Sequence, residues 1–234
     1  MNQSAYTDLV PPVDLSDRAQ IGLLVIDMQY HDAAPDRGLS LAMERISPGS
    51  MRYYADRLTR TTIPAISRIL DYFRRNHMQV FHLTLGSEHR DLRDCPKRFR
   101  DWTRAIEERS GVHDLWWSGN PDFAILEELM PLAGETVVRK TTNGAFNGSG
   151  LDDIFRYNGI SRLIITGVVT SACVALTALD AADRGYDCVL VSDALADHDE
   201  EMHMATLKSF AMNFGRVVER PEDVISVMEN SAWI

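Results

Sequence analysis

The sequence predicts an α/β protein: a doubly wound, six-stranded, mostly parallel sheet with helices on both faces. Three observations carry that expectation. Short unbroken apolar runs alternate with stretches whose apolar residues recur at helical spacing. Strand, helix and strand repeat along nearly the whole chain, as in successive βαβ units. The apolar runs lack the in–out alternation of a half-exposed sheet, so both faces of each strand should be covered.

Taken in order, residues 22–27 (GLLVID) form a buried strand ending in a charge. Residues 62–76 place Ile66, Ile69, Leu70 and Phe73 on one helical face, with Pro64 in the first turn. Residues 79–85 are the second strand, 122–130 a short helix and 135–139 the third strand. A helix over 150–158 stops at Asn158-Gly159. Residues 162–167 are the fourth strand, and a helix over 172–184 stops at Gly185. The fifth strand (187–192), a helix (199–213), a short sixth strand (216–218) and a last helix (222–229) complete the series. Two excursions interrupt it, at 31–60 and 86–120, the second carrying Trp102, Trp116 and Trp117. Excursions of this length in a compact domain tend to form functional loops or interfaces.

A chain of 234 residues suits one domain spanning 1–234, with an N-terminal arm (1–17) and an inserted loop (86–120). Its 45% hydrophobic and 25% charged content excludes a disordered or fibrous chain. Lys and Arg number 24 against 34 Asp and Glu, which argues against a nucleic-acid partner. Three cysteines, Cys95, Cys173 and Cys188, make no disulfide framework, so a reducing, cytoplasmic setting is expected. The N-terminus reads as no signal peptide. No apolar run approaches the roughly 20 residues of a membrane span.

Strand ends in such a sheet converge on one crevice. Asp27 ends the first strand, Lys140 follows the third, and Cys173 opens the helix after the fourth. A thiol at a helix start gains from the dipole and the unpaired N–H groups, and a nearby ammonium favours its thiolate further. A carboxylate can relay the thiol proton to a leaving group. Singly, each residue is as easily a turn acid, a solvated lysine or a small buried hydrophobe; together they suggest a nucleophilic hydrolase.

Residues 24–29 (LVIDMQ), Lys140 with Gly144-Ala145-Phe146, and residues 167–174 (GVVTSACV), followed by Ala178 to Ala182 and Gly185-Tyr186, resemble the isochorismatase-like cysteine hydrolases. The likeness runs from about residue 18 to 218 and is nearest the N-carbamoylsarcosine amidase, maleamate amidase and biuret hydrolase branch. It implies an Asp27–Lys140–Cys173 triad. It also implies a cis peptide between Val168 and Val169, and an oxyanion hole built from the N–H groups of Val169 and Cys173. The implied reaction is hydrolysis of an amide, ureide or carbamoyl C–N bond through a thioester, without a cofactor. Relatives that cleave a vinyl ether lack the cysteine. The branch often has Arg after Cys-Val, whereas this chain has Ala175, which favours a neutral substrate. The metal pattern of nicotinamidases is not matched by Glu88-His89, and the spacing of His198 and His203 puts them on different helical faces, so no metal is expected.

Gln29, Tyr30 and Phe146 are candidates to line the pocket. Trp116 and Trp117 are candidates for closing the pocket, meeting another subunit or packing the core. Asn213 and Phe214 are weaker candidates for approaching the site, and Cys95 and Cys188 are expected to be structural. The resemblance implies a homodimer or homotetramer. The alternatives are a nicotinamidase- or isochorismatase-type hydrolase and a catalytically silent binding or regulatory member of the fold. A dinucleotide-binding oxidoreductase is excluded, because no glycine-rich turn follows the first strand.

Overall fold

The structure, a computed structural model, describes residues 9–234; the first eight residues of the expected N-terminal arm lie outside the described residues. Among the described residues six strands form one sheet: β1 (Ile21–Ile26), β2 (Gln79–Leu85), β3 (Thr136–Lys140), β4 (Arg162–Val168), β5 (Asp187–Ala196) and β6 (Arg216–Val218). Their order is β3-β2-β1-β4-β5-β6, and every pairing is parallel. The chain winds outward from β1 in one direction and from β4 in the other. The β1/β4 boundary is therefore the topological switch point, where side loops part and leave a crevice at the carboxyl ends.

Each face of the sheet has its own core. Leu23 and Val25 of β1 join Ile66, Ile69 and Phe73 of α4 (Ile63–Arg75), with Val224 and Met228 of α9 (Pro221–Glu229). Leu24 and Ile26 point the other way. They join Phe155 of α6 (Leu151–Tyr157), Ala178 of α7 (Ala175–Asp183) and Phe210 of α8 (Glu200–Asn213). Period-two alternation in a strand covered on both sides explains why β1 reads as unbroken apolar sequence. Each of the Val, Leu, Ile, Phe and Met side chains among them stabilises the fold by about 1.5–3 kcal/mol through burial.

Three expectations need correction. Residues 122–130 are not a helix: two single turns, Pro121–Phe123 and Glu127–Leu129, flank Ile125, which forms an antiparallel bridge with Gln29. The 31–60 excursion is largely helical, with α1 (Tyr30–Ala33), α2 (Gly38–Ile46) and α3 (Arg52–Arg57). The 86–120 excursion holds α5 (Lys97–Ser110), whose buried residues are only Thr103, Ile106 and Ser110. So thin a stripe, two-thirds of it hydroxyl side chains, leaves little apolar periodicity to detect. This excursion leaves and returns at one place. Ser87 bridges Trp117, with Ser87 N–H donating to Trp116 O at 2.8 Å and Ser118 N–H to Ser87 O at 2.8 Å. Near the chain ends, Asp14 bridges Trp233 in antiparallel fashion. Among the described residues no helix is long and apolar enough to cross a membrane.

Gly167 sits where β4 passes the end of β1. Its φ is +112°, and a Cβ there would lie 2.1 Å from Ile26 O. Both the backbone conformation and the strand contact require glycine. Gly167→Ala is therefore expected to lower stability by at least about 2 kcal/mol, read as a shifted urea midpoint at constant slope. An unchanged midpoint would mean that β4 can move away from β1 freely.

Candidate active site

Asp27 is the first residue beyond β1. Its φ of +53° turns the chain sharply, and its N–H donates to Leu83 O at 2.9 Å, which ties the turn to β2. Lys140 is the last residue of β3, on the far side of β2. Alternate strands lie about 10 Å apart, a gap that the long lysine stem helps to close. Its Nζ donates to Asp27 Oδ2 at 2.7 Å and to Thr142 O at 3.1 Å. Both side chains are shut off from solvent, at 0% and 1% exposure.

Cys173 lies in the wide turn Thr170–Val174 between β4 and α7. Its thiol donates to Asn143 Oδ1 at 3.8 Å. Among the described residues Asp27 Oδ1 is buried without a hydrogen-bond partner, and the Cys173 thiol lies close enough to act on the same carboxyl. The Val168–Val169 peptide is cis. Asp27, Val169, Cys173, Asn143, Asp32, Trp116 and His198 all line one cleft of about 1410 Å³.

Burial raises the Asp27 carboxyl to about 6, against the pull of the Lys140 ammonium. Burial alone would lower Lys140, but Asp27 and Cys173 outweigh it and the net shift is upward. Burial also lifts the Cys173 thiol well above its ordinary range; Lys140 opposes this and Asp27 reinforces it. The sequence pointed to a thiolate favoured by the helix start and the lysine. Desolvation opposes that more strongly and favours the neutral thiol, while the Asp27–Lys140 contact favours the ammonium. Burial raises the other two thiols as well, Cys95 to about 11 and Cys188 higher still.

The turn that holds Cys173 is braced from the β5–α8 side. Ser171 N–H donates to Asp197 Oδ2 at 2.6 Å. Thr170 Oγ1 lies 2.9 Å from His203 Nδ1, and Arg57 Nη2 lies 2.9 Å from His203 Nε2. A guanidinium can only donate, so Nε2 accepts and the proton of a neutral ring sits on Nδ1, facing Thr170. Burial, with Arg57 adding to it, lowers the His203 imidazole to about 4. Arg57 is itself anchored on Ser192 O and Leu195 O, each at 2.8 Å.

Four of the proposed pocket residues do not line the cleft. Gln29 is a buried clamp: its Nε2 donates to Phe123 O at 2.8 Å and its Oε1 accepts from Leu85 N–H at 2.7 Å. Tyr30 lies under the Arg37 guanidinium, 4.9 Å from ring centroid to Cζ, and its hydroxyl accepts from Glu127 N–H. Phe146 packs against Phe155 and Tyr186. Trp117 turns towards Arg90. Trp116 does line the cleft, with its indole N–H on Asp32. Asn213 and Phe214 are likewise absent from the lining. Glu88 pairs with Arg139, and His89 Nδ1 accepts from Arg93.

Asp32 and Asn143 are cleft residues that sequence reasoning did not single out, and His198, weighed there only as a metal ligand, lines the cleft as well. Asp32 stands five residues after Asp27, in a run without a recognisable motif. The partner that defines it, Trp116, is 84 positions away.

Residues 22–222 match the isochorismatase domain family. Enterobactin synthase component B of Escherichia coli (strain K12) is 30% identical over 164 residues, 68% of this chain and 52% of that protein. Maleamate amidohydrolase of Pseudomonas putida is 28% identical over 134 residues, 57% of this chain and 62% of that one. The chain therefore spans only about half to three-fifths of the length of these curated relatives. A cysteine hydrolase from Pseudomonas syringae pv. phaseolicola 1448A shares the fold with a TM-score of 0.77 at 21% identity, covering 99% of this chain and 100% of that chain. With the family matched from the first strand to the last helix, the chain belongs to the isochorismatase family.

Proposed function

We propose that this protein is a cysteine amidohydrolase, cleaving a C–N bond in a small amide, ureide or carbamoyl compound. The observation that carries this reading is a buried cysteine in the same cleft as a carboxylate, one oxygen of which is held by a buried lysine at 2.7 Å. Maleamate amidohydrolase among the relatives supports the reaction class.

The reaction follows from the proton inventory. Asp27 Oδ1 takes the thiol proton as Sγ attacks the carbonyl carbon, forming a C–S bond and a tetrahedral oxyanion. The N–H groups of Val169 and Cys173 are the donors for that oxyanion. The C–N bond breaks as Asp27 returns the proton to nitrogen, and ammonia or an amine leaves. Asp27 then deprotonates a water that attacks the thioester. Collapse releases the acid and restores the thiol. Lys140 stays protonated throughout and fixes the orientation of Asp27.

Ammonia release should appear with at least one member of a panel of biuret, other ureides, N-carbamoyl amino acids, maleamate, nicotinamide and aliphatic amides. Cys173→Ala should abolish it, whereas Cys95→Ala and Cys188→Ala retain most of it. Near-normal turnover by Cys173→Ala would remove the covalent mechanism. Silence across the panel with an unreactive Cys173 would favour a binding role.

A base must be unprotonated to work, so kcat/KM should fall as pH drops through about 6, where Asp27 takes up its proton. Asp27→Asn should lower kcat at least ~10²-fold. A profile that stays flat through that range would exclude Asp27 as the base.

A further inference from the structure

The cleft contains two buried carboxylates, and only one has a lysine. Asp27 is neutralised by Lys140. Asp32, 7% exposed, forms no ion pair with arginine or lysine among the described residues. A single donor, the Trp116 indole N–H, is shared between its two oxygens at 3.1 and 3.2 Å. His31 Nε2 lies 3.3 Å from Oδ2. A carboxylate offers about four acceptor positions, so most of the capacity of Asp32 is unused on the protein side. What surface it retains faces the cleft that holds Cys173.

The wall beside it is aromatic. Phe99 and Trp102 of α5 line the cleft, their rings 5.1 and 5.3 Å from that of Trp116. Trp102 is 45% exposed. Aromatic faces attract cations, and more strongly where water is partly excluded. The remaining charges of the lining do not offset Asp32. Lys97 pairs with Asp101, and Asp180 with Arg184. Arg98 and Asp183 are exposed cleft residues of opposite sign. Among the described residues no arginine or lysine pairs with Asp32 to offset it against a substrate carboxylate placed near Cys173.

We infer that the cleft selects a substrate whose non-reacting end is an ammonium or guanidinium, with Asp32 as its counter-charge and the Phe99–Trp102 wall against its stem. This rests on the amidohydrolase reading for the reaction but not for the charge preference. Asp32 acts here as a specificity-determining residue: it selects by attraction to a cation and by repulsion of an anion.

Alkylation of Cys173 tests the charge preference without requiring turnover. Three reagents are compared at low ionic strength: 2-bromoethylammonium, iodoacetamide and iodoacetate. Each rate is measured at Cys173 by mass spectrometry and divided by the reagent's rate with free cysteine. The expected result is a cation-to-anion ratio at least ~10-fold above unity, falling to within about threefold of unity in Asp32→Asn. The wild-type ratio stands by itself should the variant fail to fold, which far-UV circular dichroism checks. A ratio at or below unity, a ratio unchanged by Asp32→Asn in a folded variant, or a Cys173 that reacts with none of the three would overturn the inference. In the ammonia assay, amides bearing an ammonium should exceed neutral amides of equal size. Charge selectivity in alkylation with neither ammonia nor an amine released from any amide would count against the amidohydrolase reading and leave the anionic subsite standing.

Discussion

An ammonium and a carboxylate 2.7 Å apart, both closed to water, set the demands on everything around them. Moving two charges out of water costs several kcal/mol per ion, and their attraction repays this only when the geometry is held closely. The two come from strands that do not touch, β1 and β3, with β2 between them. Their meeting therefore depends on the register of three strands at once. The Asp27 turn, with its N–H on Leu83 of β2, and Gly167, which lets β4 close on β1, are the local devices that keep the register where the pair needs it. Losing either partner would leave a lone buried charge, a loss of about 3–5 kcal/mol. The same burial that makes the pair demanding also brings the Asp27 carboxyl up to the range where it can exchange a proton near neutrality.

The Cys173 side is held in a different manner. No ion pair fixes Cys173; instead its turn is gripped through Thr170 and Ser171 by His203 and Asp197, from elements that follow β5. The two halves of the site thus belong to the two halves of the doubly wound sheet, and they meet at its switch point.

How much of this is legible in sequence depends on how local each signal is. All six strands are found within a few residues of their expected positions, because strands covered on both faces leave unbroken apolar runs such as residues 22–26. Asp27, Lys140 and Cys173 stand out because strand ends in a parallel sheet converge. Helix α5 was hidden by its narrow buried stripe, and the 122–130 segment misled because Ile125 pairs with Gln29 across almost a hundred residues. Gln29 looked like a pocket residue from its place beside Asp27. Only the structure shows that both ends of its amide are engaged by backbone. The protonation state of Cys173 also lay beyond the sequence, since a helix start and a lysine favour thiolate while burial, which a sequence does not quantify, opposes it more strongly.

The excursion between β2 and β3 contributes Phe99, Trp102 and Trp116 to the cleft wall but neither member of the buried pair and not the thiol. It departs at Ser87 and rejoins at Trp117, two positions already bridged to one another. Such a segment can lengthen, shorten or be replaced between its roots while the strands it connects keep their register. Divergence within this architecture then has a ready route: new clientele through an exchanged wall, with the reactive groups inherited unaltered. The same two roots are natural joints for grafting the excursion of one such protein onto the sheet of another.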